Sequence, residues 1–91
     1  MERSTVQVPP FIILVDEIPV TIYEVYKSVL VSGDVFYHAV IEINYKGIRS
    51  KRYTIDAKDY NSLINKVKVE IDKIKFIEYS FGINEVRRLL S

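Results

Sequence analysis

The segment from Val35 to Ala57 constrains the fold most, because two alternating stretches flank the tetrapeptide Asn44-Tyr45-Lys46-Gly47. In the first stretch Val35, Tyr37, Ala39, Ile41 and Ile43 point one way. His38, Glu42 and Asn44 point the other, with Val40 among them. Such a period of two marks a strand with one buried face. The tetrapeptide fits a type I turn followed by a left-handed residue, a three-residue hairpin loop in which Gly47 carries no Cβ penalty. Ile48 to Ile55 then returns as the next strand, placing Tyr53 and Ile55 beside Ala39 and Tyr37.

Val20 to Val31 is readable two ways. Thr21-x-x-Glu24 resembles a capping box, with Gly33 placed as a helix C-terminal residue. Four valines, Ile22, Thr21 and two tyrosines favour a strand instead. Ser32-Gly33-Asp34 makes a short turn into Val35, and that register sets Tyr23, Val25, Val29 and Val31 on the same face as Tyr37 to Ile43. One uniform apolar face decides for strand.

Pro9-Pro10 blocks helix, so residues 1–10 read as a flexible arm ahead of a single domain over 11–91. Phe11 to Val15 reads as a short strand stopped by Asp16-Glu17-Ile18-Pro19. A helix begins at Ala57 or Lys58 with Asp56 as N-cap, and Tyr60, Leu63, Ile64, Val67, Ile71 and Ile74 form one stripe through Phe76. Val67 to Ile71 also alternates, leaving 73–80 open between helix and strand. Asn84 caps a last short helix through Leu90. The expected fold is α+β: an antiparallel meander of three to four strands, one long helix on one face and a short C-terminal helix.

A chain of 91 residues without cysteine and with one histidine excludes disulfides and makes an all-protein zinc site untenable. No cofactor is expected. The apolar run at Phe11 is too short to span a bilayer and lacks a basic leader, so the expectation is a cytoplasmic protein without membrane contact. Abundant Ile, Val, Lys and Glu give a thermophile-like composition.

Catalysis is not expected. A Ser-His-Asp arrangement would have to be built around His38, which reads better as a half-exposed strand residue. Asp16-Glu17 sits in a turn, Asp56 and Asp59 at a helix start, and the three glycines stand far apart.

Charge points to binding. Residues 1–45 carry two basic against six acidic side chains, residues 46–91 eleven against six. Lys46, Arg49, Lys51 and Arg52 crowd the hairpin with Tyr45 and Tyr53 interleaved. Such a ribbon suits a nucleic-acid groove, with Lys46, Arg49, Lys51 and Arg52 on the backbone and Tyr45 stacking at the tip. Over residues 20–76 the order strand, strand, strand, helix resembles small sheet-plus-helix DNA readers such as the arm-binding domains of tyrosine recombinases, without a diagnostic motif. A second expectation is a protein interface or homodimer. Val69 and Phe76 lie opposite the main helical stripe, and Phe36, Val40 and Ile48 share the sheet face the helix leaves bare.

Overall fold

Alternation along the chain becomes one antiparallel sheet in the computed structural model, which describes residues 2–6 and 10–91. Its strands are β1 (Glu2–Val6), β2 (Phe11–Val15), β3 (Ile18–Val29), β4 (Val35–Tyr45), β5 (Ile48–Arg49) and β6 (Tyr53–Ala57). β3 and β4 form the central hairpin. β1 and β2 both pair with one side of β3, and β5 and β6 both pair with the far side of β4. Helices α1 (Tyr60–Phe81) and α2 (Ile83–Leu90) follow. The expected α+β meander with a long and a short helix is therefore the fold.

One expected strand is present, and the segment left open between helix and strand is resolved. The β-branched run after Val20 is strand through Val29, and residues 73–80 belong to α1. Of the stretch expected as an arm, residues 1 and 7–9 lie outside the described residues, and Glu2–Val6 is a strand antiparallel to Val25–Val29.

The turns differ from expectation. Tyr45 pairs directly with Ile48, and Lys46 and Gly47 have φ of 51° and 84°. That is a two-residue loop with both central residues left-handed, whose twist matches the flanking strands. β2 and β3 are joined likewise: Val15 pairs with Ile18 across Asp16 (φ 50°) and Glu17 (φ 67°). Pro19 therefore lies inside β3 rather than at the turn.

Two irregularities reset the faces. The register of β3 against β4 shifts between Ile22 and Glu24, so Val20, Ile22 and Val25 lie opposite Ile43, Ile41 and Ala39. Tyr23, expected on the core face, instead reaches Glu42 on the other face. The returning strand is also broken. Tyr53 pairs with Ile41 and Ile55 with Ala39, two residues further along β4 than expected: the two-residue turn accounts for one, and the other arises because Ser50, Lys51 and Arg52 oppose only Glu42 and Ile43. An extra residue of this kind is a β-bulge. The Ser50 hydroxyl accepts from the Ile43 N–H at 2.8 Å and donates to the Lys51 carbonyl at 2.9 Å, supplying the acceptor the ladder lacks.

The inner face carries the core. Ile22, Ile41 and Ile43 are buried under Val67, Ile71 and Ile74 of α1, with Leu63 beside them. Asp59 caps α1, accepting from the Ser62 N–H at 2.8 Å, whereas Asp56, the expected cap, lies in β6. Gly82, at φ 92°, takes the cap position of α2 in place of Asn84 and turns the chain so that Val86 is fully buried. Ile48, expected on the bare face, is buried in the core beside Tyr45. Tyr37 lies on the inner face toward the far end of the hairpin and remains exposed.

Candidate functional site

Three features follow from this sheet: a polar outer face, a basic hairpin and an unprotected edge. None of the described elements lies over the outer face, because β1 and β2 extend the sheet in its own plane.

Two side-chain rows cross the outer face. In the first, Glu42 is buried to 7% exposure by the groups that hold it. Arg49 donates Nε to its carboxylate at 2.7 Å, and the Tyr23 hydroxyl donates to the same group. The Arg49 guanidinium, then the Tyr23 hydroxyl, hold the Glu42 carboxyl below its ordinary value. Arg52 lies over the Tyr23 ring, 3.7 Å from its centroid, a cation–π contact.

The second row is Ser28, His38 and Asp56, one residue from each of β3, β4 and β6. Ser28 Oγ is 2.8 Å from His38 Nε2, and His38 Nδ1 is 2.5 Å from Asp56 Oδ1. This connectivity is that of a serine nucleophile, its base and an orienting acid, the arrangement the sequence reading would build only around His38. The surroundings differ from a hydrolytic centre. Ser28 is only 4% exposed. β3 is flanked here by β1 and β4, so the backbone around Ser28 lies between two ladders. The row fixes the His38 ring and satisfies the buried serine.

The basic cluster does not form one surface. Lys46 turns toward α1 and pairs with Glu78 at 2.8 Å, while Arg49 and Arg52 sit on the outer face with Glu42 and Tyr23. Tyr45, expected to stack at the tip, is 2% exposed and donates its hydroxyl to Glu78 at 2.5 Å. Burial first, and then Glu78, push its phenol up to about 12. Lys51 is exposed at the bulge.

The expected protein-interface residues fall on two sides of the molecule. Phe36 and Val40 are half-buried on the outer sheet face, whereas Val69 and Phe76 are exposed on the side of α1 that faces away from the sheet. No single partner surface joins them.

The edges of the sheet are treated unequally. The β6 side is interrupted by the bulge, carries Lys51 and Lys58, and has its Asp56 carbonyl covered by the Lys66 ammonium. These are the usual defences against strand addition. β2 has none within its five residues, Phe-Ile-Ile-Leu-Val. Ile12 is 65% and Leu14 70% exposed on the outer side. On the inner side a groove of about 640 Å³ runs between the β2 hairpin and α1, its walls including Ile13, Val15 and Asp16 on one side and Tyr60, Ile64 and Lys68 on the other. The sequence signal was present as an uncharged apolar pentapeptide; its edge position is a property of the topology.

Among the described residues no group of three or more His, Cys, Asp or Glu is placed to hold a metal, and no helix is long and apolar enough to cross a membrane. No family model, curated protein or solved structure matches the chain.

Proposed function

We propose that this is a small non-enzymatic protein-interaction domain of the cytoplasm, which engages its partner by strand addition along β2. One observation carries the reading: β2 is an apolar edge strand with no charge, proline or bulge, next to an open groove. In strand addition main-chain hydrogen bonds supply affinity, and side-chain pockets beside the edge supply selectivity. A heptapeptide copying residues 10–16 tests it. Bound to the protein, the peptide slows amide exchange at Ile12 and Leu14 and leaves the β6 amides unchanged. Absence of any such protection up to millimolar peptide rejects the β2 edge as a docking site.

A second reading, binding of nucleic acid, is favoured by Arg49 and Arg52 lying together on the uncovered sheet face. Lys51 would add a further phosphate contact at the bulge. Lys46 and Tyr45, engaged by Glu78, contribute little to it. Affinity would then fall steeply with salt, and replacing Arg49 and Arg52 with alanine would lower the salt slope by about two. A gel-shift series without binding at low salt excludes this reading.

A further inference from the structure

We infer that the strand added to β2 is the β2 of a second copy of this chain, antiparallel about a two-fold axis through Ile13; the inference rests on β2 being the docking edge. The register follows from which backbone groups are available. The two-residue turn makes Val15 and Ile18 the first hydrogen-bonded pair of the β2–β3 hairpin, so Phe11, Ile13 and Val15 direct their N–H and C=O groups to β3. Ile12 and Leu14 direct theirs outward.

Only outward groups meet outward groups in a new ladder, which leaves three centres for self-pairing. Centred on Ile12, Leu14 faces Pro10, which has no N–H to give. Centred on Leu14, Ile12 faces the Asp16 carboxylate. Centred on Ile13, Ile12 faces Leu14 of the second copy on both sides of the axis, and Phe11 faces Val15. All five positions then set apolar against apolar, and both outward residues of each copy are hydrogen-bonded. A parallel arrangement would bring Asp16 and Glu17 of the two copies side by side, whereas the antiparallel one carries them to opposite ends. Ile12 and Leu14, the two exposed outer side chains, lie side by side across the seam and shield each other's flanks. On the inner side Phe11 and Ile13 of the added strand enter the groove beside Tyr60 and Ile64. An isologous contact of this kind closes after two copies and makes one continuous sheet.

Cysteine placement tests the register, since the chain has none of its own. At the axis Ile13 faces itself as a non-hydrogen-bonded pair, with Cα atoms about 4.5 Å apart. That is within disulfide range, whereas two copies of Ile12 or of Leu14 are offset beyond the ~7 Å limit. Mild oxidation should link Ile13→Cys into dimers and leave Ile12→Cys and Leu14→Cys largely unlinked. Sedimentation should show a concentration-dependent dimer for the unaltered chain and a folded monomer for Leu14→Lys, whose altered side chain is exposed. A monomer at every concentration, or equal linking at Ile12 and Ile13, overturns the inference. If the heptapeptide nevertheless protects Ile12 and Leu14, β2 remains a docking edge for a different strand. If it does not, both readings fall.

Discussion

The Tyr45 hydroxyl meets the Glu78 carboxylate at 2.5 Å across 33 residues of chain, and that contact ties the hairpin turn to the last third of α1. Lys46, next in sequence, binds the same carboxylate from solvent. The two bonds differ in worth. Tyr45 is buried and its acceptor is charged, a setting worth about 1.5–3 kcal/mol, whereas an exposed ion pair contributes about 0–1 kcal/mol. Tyr45→Phe should therefore destabilise by about 2 kcal/mol and Lys46→Ala by under about 1 kcal/mol, read from urea midpoints.

Ser50 is the hinge of the bulge. Ile43 is fully buried and its N–H has the Ser50 hydroxyl as acceptor. Ser50→Ala leaves that donor unsatisfied, costing about 1–3 kcal/mol. Ser50→Thr keeps the hydroxyl and should recover most of the loss. Equal destabilisation by both would show that the hydroxyl is not the acceptor that matters.

The turn after β2 holds two non-glycine residues in the left-handed region, where a side chain costs about 1–2 kcal/mol. Glu17→Gly removes the strain at one of them while leaving the two-residue loop intact. Thermal unfolding should shift upward, by an amount corresponding to about 1 kcal/mol.

Acid and alkali should act at different places. Glu42 and Glu78 are held below the ordinary 4.5, by Arg49 and Lys46 respectively, and the Asp59 cap below 3.8 by the Ser62 N–H. Groups with a lowered native value bind more protons unfolded than folded. Their stabilisation is complete above the ordinary values and is lost as pH falls through the native ones. Glu42→Gln should flatten that acid limb. Tyr45 and Tyr53 are pushed from 10.0 up to about 12, chiefly by burial, so the folded state keeps protons that the unfolded chain gives up. Their contribution is complete below about 10 and is lost between there and about 12. Urea midpoints measured against pH check both limbs.

Strand-length alternation was legible without coordinates: β4 runs from Val35 to Tyr45 as its pattern predicts, and the Leu63–Ile74 stripe does face the sheet. Bulges were not legible, because one extra residue leaves local alternation intact on each side while exchanging the faces. That is why Tyr23 was expected on the wrong side; Ile48 was misplaced by the turn instead, whose two-residue loop pairs it with Tyr45 rather than Asn44. Asp56 and Asp59 both offer a capping carboxylate, and only the pairing of His38 with Asp56 separates them. For the site, Arg49 and Glu42 are diagonal neighbours once Asn44 is paired with Arg49, so their ion pair follows from a correct register. Glu78 comes from a distant helix, and its capture of Tyr45 and Lys46 needed the tertiary structure.

Amide exchange at Ile12 and Leu14, followed as protein concentration is raised, tests the central claim most directly. In the isolated chain these two N–H groups face solvent along the β2 edge. The account predicts fast exchange when dilute and a progressive slowing at both positions, with Ile13 unaffected because it is already bonded to β3. Rates at Ile12 and Leu14 that do not change with concentration would contradict it.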